Sequence, residues 1–578
     1  MRRTKIVCTI GPASESPEML KKMIKAGMNV ARLNFSHGSH EEHARRIINI
    51  RQAAKELNVQ IGIMLDTKGP EIRIGNLEEP KILLEQGKEL ILTTREVLGT
   101  AERISINYAG LPQDVKPGNN ILIDDGLISL RVLATTPDEI RCLILNNGEV
   151  SSRKGVNVPG VNINLPSLTA KDIEDIKFGI DKQIDFLAAS FIRSGSDVLE
   201  IRRIIEEAES NLQIIAKIES RSAVYNIDEI IQVADGIMIA RGDLGVEIPA
   251  EEVPLVQKQI IAKCNRAGKP VITATQMLDS MVRNPRPTRA EANDVANAIL
   301  DGTDAVMLSA ESAAGKYPIE AVETMARIAE KTEEALKPKI GIYDPSTITD
   351  AIGHATVSIA AELDAAAIIT HTTSGSTSRM VAKYRPRTPI IAATWVEEVL
   401  RRVTLVWGVT PLYIPKTNST DEMINQAVEH AVASKQIKMG DLIVVTAGVP
   451  LGIPGTTNLV KVHVVGEAIV KGQGIGSQSV SGKVQICRSA KEALAKINAG
   501  DILVTTATDK EFVPAMEKAA AIITEVGGLT SHAAVVGLSL GIPVVVGVKD
   551  ALRLLEEGLI VTIDSRRGLV FKGVTRGL

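Results

Sequence analysis

One rhythm constrains this chain more than any other feature. Short apolar, β-branched runs alternate with amphipathic helical segments through roughly its first 330 residues. The runs that predict strands are residues 5–10, 30–34, 61–66, 185–190, 214–218, 237–240, 271–274 and 305–309. Several are continuously apolar, such as Val-Ile-Thr-Ala from 271 and Ala-Val-Met-Leu from 305. That is the pattern of parallel strands buried on both faces. Helical text lies between them. Ser16-Pro17 reads as an N-cap followed by proline at the first helical position. Val253, Val256, Ile260, Ile261 and Cys264 form a stripe at helical spacing, which makes Cys264 a core residue rather than a nucleophile. Eight such units predict an α/β fold built on a TIM (β/α)8 barrel.

One unit breaks the rhythm. Between Asp66 and Asp185 the text turns to short alternating runs at 72–74, 81–84, 90–93, 120–123, 128–132 and 141–145, bracketed by Pro70 and Pro166. These predict an all-β domain inserted after the third barrel strand, over the face where barrel active sites are built, and so a lid. The expected boundaries are 1–69 with 167–337 for the barrel and 70–166 for the lid. A further α/β domain spans 338–472, with strands at 366–370, 389–394 and 441–446 and helices near 377–383 and 421–435. The glycine-rich stretch Gly472-Gln-Gly-Ile-Gly476 reads as a hinge. A dinucleotide fingerprint is excluded there because no strand–turn–helix unit surrounds it. Residues 473–578 then form one more small α/β domain, ending in a strand near 568–571.

A chain of 578 residues must divide its core among several domains, and its balance of 66 Lys+Arg against 69 Asp+Glu gives a net charge of −3. A broad electrostatic footprint for nucleic acid or an anionic membrane is absent. At 2% aromatics a base-stacking platform is also unsupported. No apolar run reaches the roughly 20 residues of a membrane span. The N-terminal Met1-Arg2-Arg3-Thr4-Lys5 is basic but lacks the apolar stretch of a signal peptide. Cys8, Cys142, Cys264 and Cys487 are scattered without metal-ligand spacing, as expected of a reducing, cytoplasmic setting.

Function in such a barrel belongs at the strand C-termini. Those positions read Arg32-Leu33-Asn34-Phe35-Ser36-His37, Asp66-Thr67-Lys68, Lys217-Ile218-Glu219, Arg241-Gly242-Asp243, Thr275-Gln276 and Ser309-Ala310-Glu311. Glu219 and Asp243, on neighbouring strands, are hard oxygen ligands suited to Mg²⁺ whose other ligands are water and substrate. Arg32, Lys217 and Arg73 are cations suited to phosphate. Together they describe a phosphoryl-transfer site. Gly242 and Asp243 open a helical stretch whose backbone N–H groups suit a substrate carboxylate. The plainer alternative is a set of inter-strand ion pairs closing the barrel mouth.

These residues also carry a family resemblance. Lys5-Ile-Val-Cys-Thr-Ile-Gly-Pro-Ala-Ser14, Asn29-Val-Ala-Arg-Leu-Asn-Phe-Ser-His37, Leu65-Asp-Thr-Lys-Gly-Pro-Glu-Ile-Arg73, Ile215-Ala-Lys-Ile-Glu219, Ala240-Arg-Gly-Asp-Leu-Gly245, Thr273-Ala-Thr-Gln-Met-Leu278 and Asn284-Pro-Arg-Pro-Thr-Arg-Ala-Glu291 resemble pyruvate kinases, in order, from residue 5 to about 470. The resemblance implies transfer of phosphoryl from phosphoenolpyruvate to ADP, giving pyruvate and ATP, with Mg²⁺ (or Mn²⁺) and K⁺. It implies that Lys217 lies against the transferring phosphoryl and the developing enolate. Glu219 and Asp243 bind Mg²⁺. Gly242, Asp243 and the Thr275 hydroxyl hold the substrate end, and Arg32 meets the phosphoryl. Asn34, Ser36, Asp66 and the Thr67 carbonyl form the K⁺ site. Arg73, Lys154 and the segment Asn34, Phe35, Ser36, His37 contact nucleotide. Glu71 stands where members independent of K⁺ carry Lys, which implies K⁺ dependence.

Two departures concern loops. Ser309-Ala310-Glu311-Ser312 replaces the family's Ser-Gly-Glu-Thr, which restricts the backbone if Ala310 needs φ > 0, and Ser220-Arg221-Ser222 follows Glu219 where acidic residues and Gly are commoner. In the third domain, the loop Thr372, Thr373, Ser374, Gly375, Ser376, Thr377 leads into a helix and suits a phosphate. The resemblance makes it the site of a sugar-phosphate or nucleotide effector, in a homotetramer. The tail, with Thr524-Glu-Val-Gly-Gly-Leu-Thr-Ser-His-Ala-Ala534, is similar to the swivelling phosphohistidine domain of phosphoenolpyruvate synthase and pyruvate phosphate dikinase. There the matching histidine, here His532, accepts phosphoryl. Rival readings are a dikinase-like enzyme relaying through His532, a Mg²⁺-dependent lyase or aldolase, and a regulatory phosphocarrier with a degenerate barrel.

Overall fold

The computed structural model describes residues 2–161, 163–339, 347–450, 455–466 and 468–574. Met1 and the last four residues of the expected tail lie outside the described residues. The chain forms two compact units, one of residues 1–338 with 397–411, the other of 339–396 with 412–578.

In the first unit eight parallel strands close into a barrel. They are β1 (Lys5–Thr9), β2 (Val30–Asn34), β3 (Gly62–Asp66), β4 (Phe186–Ala189), β5 (Gln213–Ile218), β6 (Gly236–Ala240), β7 (Val271–Ala274) and β8 (Ala305–Leu308). The order around the barrel is β1-β8-β7-β6-β5-β4-β3-β2. Side chains alternate across each strand, so one row fills the interior and the other packs on the surrounding helices. Val7, Val30, Met64, Phe186, Ala188, Ile215, Met238, Ile272 and Met307 pack with one another in the interior. Their chain neighbours Ile6, Cys8, Ile63, Leu65, Ile214 and Ala216 join the outer core, with Cys264. The expectation for Cys264 as a core residue holds. Ser16 caps the helix Pro17–Ala26 as its sequence predicts. Capping boxes Ser39/Glu42, Thr169/Asp172, Ser194/Asp197 and Thr288/Glu291 start four more helices, each satisfying orphan N–H donors at the helix start.

The inserted segment between β3 and the helix Ala170–Asp181 is β apart from one helical turn, Leu111–Asp114. A six-stranded sheet runs in the order Val156–Asn157, Asn120–Ile123, Ile128–Thr135, Glu139–Ile144, Glu89–Thr93, Arg103–Ser105, beside a two-stranded sheet of Gly148–Val150 and Ile82–Leu84. The strand expected at 72–74 is reduced to isolated bridges, Arg73 to Gly155 and Ile74 to Ile106.

The second unit carries two sheets. One orders Ile390–Thr394, Ala367–His371, Leu442–Gly448, Thr457–Val464, and the other orders eight strands, Ala468–Lys471, Leu569–Lys572, Ile560–Asp564, Ser479–Ile486, Ile502–Thr505, Ala521–Thr524, Val544–Val546, Gln473–Ile475. The last strand corrects the hinge expected at 472–476. Gln473–Ile475 pairs antiparallel with Val544–Val546, and Gly472 N donates to Gly568 O at 2.9 Å. Glycine is there because two backbones cross: a Cβ on Gly474 would lie 1.9 Å from Ser565 O. Gly474→Ala is therefore expected to cost about 1–3 kcal/mol through overpacking. The readout is an earlier thermal transition with faster hydrogen exchange at 544–546. In a hinge the same change would be silent.

Candidate active site

The interior rows continue past the packed core, and their next members are polar. Thr9 follows Val7, Arg32 follows Val30, Asp66 follows Met64 and Ser190 follows Ala188, while Lys217 and Glu219 follow Ile215, each on the inward side. Strand parity thus aims them into the mouth, and β2–β3 register sets Asn34 beside Asp66.

Lys217 is the centre of this layer. Its Nζ donates to Ser190 Oγ at 2.7 Å and lies 3.0 Å from Asp66 Oδ1 and 2.9 Å from Glu219 Oε1. Burial alone would lower its pKa. The carboxylates of Asp66 and Glu219 outweigh burial and hold it above the ordinary lysine value, so the ammonium is fixed as a cation. Asp66 also faces burial, which Arg32 and Lys217 overcome, keeping it ionised. Arg32 Nε donates to Asp66 Oδ2 at 2.7 Å and Arg32 Nη1 to Thr9 Oγ1 at 2.9 Å. Ser190 Oγ donates in turn to Thr67 O at 2.7 Å.

Inter-strand ion pairs account for Arg32, Asp66 and Lys217, and Lys217 on the same strand accounts for one side of Glu219. They do not account for Asp243. Its carboxyl has no hydrogen bond or ion pair among the described residues. Burial, then the charge of Glu219, push it up to about 7. A carboxyl paired with a second carboxylate and no protein cation of its own suits a divalent ion. Among the described residues no three His, Cys, Asp or Glu side chains gather as a metal cage. Glu219 and Asp243 thus fit Mg²⁺ that takes its remaining ligands from water and substrate. Glu219 Oε2 is oriented by the N–H of Phe191 at 2.6 Å.

Gly242 and Asp243 lie in the first turn of Arg241–Glu247. The Gly242 N–H donates to Thr275 Oγ1 at 3.2 Å, which brings together two groups expected at the substrate end. Above them, lid and barrel enclose a cleft of about 280 Å³ lined by Glu71, Arg73, Asp124, Asp125, Lys154, Glu219 and Asp243, among others. Two cations expected to meet nucleotide are paired internally, Arg73 with Glu71 at 2.6 Å and Lys154 with Asp124 at 2.8 Å.

Comparison with known proteins decides the family. Residues 1–322 match the family "Pyruvate kinase, barrel domain" and residues 350–463 match "Pyruvate kinase, alpha/beta domain". The chain belongs to the pyruvate kinase family. It is 60% identical over 580 residues to the pyruvate kinase of Geobacillus stearothermophilus, covering 99% of both chains. It is 57% identical to that of Bacillus licheniformis, again over 99% of both. A crystal structure of a pyruvate kinase from Cryptosporidium parvum superposes with a TM-score of 0.76 at 42% identity, covering 80% of this chain and 96% of that one. Residues 497–568 match "PEP-utilising enzyme, mobile domain". The fold expected from sequence, a TIM barrel with added sheets and C-terminal α/β domains, is the fold of this pyruvate kinase family member, and the chain is a phosphotransferase.

The remaining site candidates fall into place unevenly. Asn34 Oδ1 accepts the Ser36 N–H at 3.1 Å, and His37 is exposed. The Phe35 ring is 1% exposed and stacked on His43 at 3.9 Å, so only its backbone can face a ligand. Ala310 opens the helix Ala310–Ala313 and is not among the positive-φ residues, so the Cβ that replaces the family's glycine meets no backbone penalty. In the second unit, the Gly375 N–H donates to Thr372 Oγ1 at 2.9 Å, and the hydroxyls of Thr377 and Thr457 lie 2.8 Å apart. His532 begins the helix His532–Leu540, its Nδ1 2.9 Å from Thr508 Oγ1. Sequence pattern alone assigns no role to Ser190. Its place at the end of β4, on the inward row, was the available signal.

Proposed function

We propose that this chain transfers the phosphoryl group of phosphoenolpyruvate to ADP and releases pyruvate and ATP. The observation that carries this reading is the barrel-mouth layer, a buried lysine fixed as a cation near a carboxyl, Asp243, that forms no ion pair among the described residues. Mg²⁺, when held by Glu219 and Asp243, would supply positive charge to the substrate oxygens. Lys217 sets its ammonium where phosphoryl and enolate charge develop, and because it is preorganised it costs no reorganisation there. Arg32 is aimed by Asp66 and Thr9 at the phosphoryl group. The Gly242 N–H and the Thr275 hydroxyl take the carboxylate end. Arg73 and Lys154 exchange their internal partners for nucleotide phosphate. Asn34, Ser36, Asp66 and the Thr67 carbonyl hold K⁺. In the same reading the loop Thr372–Thr377 takes an effector phosphate, the assembly is a homotetramer in the cytoplasm, and His532 stays outside a transfer that needs no carrier.

A coupled pyruvate assay with full-length protein tests this. ADP is expected to serve as acceptor with Mg²⁺ and K⁺ present, and AMP plus pyrophosphate is not. The reverse preference would favour the dikinase-like reading through His532. Replacing K⁺ with tetramethylammonium is expected to lower the rate roughly tenfold or more, because an anionic site loses its cation. Full activity without any small monovalent cation contradicts the role given to Glu71.

A further inference from the structure

Thr275 and Gln276 stand in the left-handed region, at φ +69° and +53°. For a β-branched residue such as Thr275 this is an outlier that persists only where its surroundings impose it. Only one side chain grips this backbone from the neighbouring strand end among the hydrogen bonds described. Arg241 Nε donates to Ala274 O at 3.1 Å, and Arg241 Nη2 donates to Thr275 O at 2.8 Å. The guanidinium is itself held by a two-pronged pair with Asp294, 2.7 Å from Nη1 to Oδ1 and 2.7 Å from Nη2 to Oδ2. Asp294 lies on the helix Arg289–Asp301, which follows β7. The planar fork of arginine suits this task, because it can meet two carbonyls and a carboxylate at once. The residue after Arg241 is Gly242, whose N–H meets Thr275 Oγ1, so one short segment grips both the backbone and the hydroxyl of Thr275.

We propose that Arg241, locked by Asp294, is a positioning residue that holds Thr275 in its left-handed conformation and so presents the Thr275 hydroxyl to the carboxylate end of the substrate. Neither side chain lines the cleft beside Glu219 and Asp243. The proposal rests on the placement of Thr275 at that end of phosphoenolpyruvate in the proposed function.

A double-mutant cycle on the full chain tests it. Asp294→Asn keeps shape but loses the charge that orients the guanidinium. It is expected to lower kcat/KM for phosphoenolpyruvate on the order of 10–100-fold through misplacement of the hydroxyl, with KM for ADP unchanged. Thr275→Ala is expected to give a loss of similar size. In the Thr275→Ala background, Asp294→Asn is expected to cost little more, since the group it positions is gone. Arg241→Lys keeps the charge without the fork and carries the same test should Asp294→Asn fail to fold. Additive losses, or equal rises in KM for both substrates, would overturn the clamp while leaving Thr275 at the substrate. Thr275→Ala with unchanged KM and kcat would overturn the placement of Thr275 itself, and the proposal with it.

Discussion

Lys217→Met is expected to lower kcat by on the order of 10²–10³, with a far smaller change in KM for phosphoenolpyruvate. The charge on Lys217 exists before substrate arrives, because Asp66 and Glu219 override burial. Its stabilisation therefore grows only as negative charge accumulates on the reacting atoms, which is the condition for an effect on turnover rather than on binding. Methionine keeps the stem volume and removes the charge. Asp66 retains Arg32 at 2.7 Å, so the variant leaves one carboxylate still paired. Some loss of stability is also expected from breaking a buried ion pair, and a thermal melt alongside the kinetics separates the two effects. Single-turnover measurement of pyruvate formation checks the chemical step. Turnover within tenfold of the parent would remove Lys217 from the chemistry.

The second large effect concerns Asp243. In the metal-free protein its carboxyl is pushed up to about 7, first by burial and then by Glu219. A divalent ion must displace the proton that this carboxyl holds at lower pH. The sign follows directly. Below pH 7 the proton competes, and apparent affinity for Mg²⁺ or Mn²⁺ is expected to fall about tenfold for each further pH unit. Above about pH 8 the carboxyl is already ionised, and the pH dependence from this group flattens. Asp243→Asn removes both the ligand charge and the proton competition. Its metal affinity is expected to be weaker than that of the parent at pH 8, with the slope below pH 7 gone, and turnover falls with it.

How much of this was legible beforehand depended on whether a residue's role lies in its own strand or in a partner far along the chain. The strand at 271–274 appears at its expected limits, because a run buried on both faces ends sharply where exposed polar residues begin. In the lid, Arg103–Ser105, Gly148–Val150 and Val156–Asn157 escaped notice, being three residues or fewer and too short to show alternation. The glycines at 472–476 misled for a physical reason: close approach of two backbones and flexibility ask for the same residue. At the mouth, Arg32, Asp66, Lys217 and Glu219 were legible because strand position and parity together determine where they point. The bond from Ser190 to Lys217 was not, since a serine acquires this role only from what faces it. The left-handed backbone of Thr275 was equally hidden, because a β-branched residue argues for extended structure.

Glu219 and Asp243 are proposed to hold a divalent ion beside Lys217. Titration of Mn²⁺ into the full chain, followed by electron paramagnetic resonance at pH 6 and pH 8, tests this most directly. The expected result is one Mg²⁺-displaceable site that tightens between the two pH values in the parent and is weakened, without that pH dependence, in Asp243→Asn. Equal Mn²⁺ affinity in the parent and in Asp243→Asn at both pH values would contradict it.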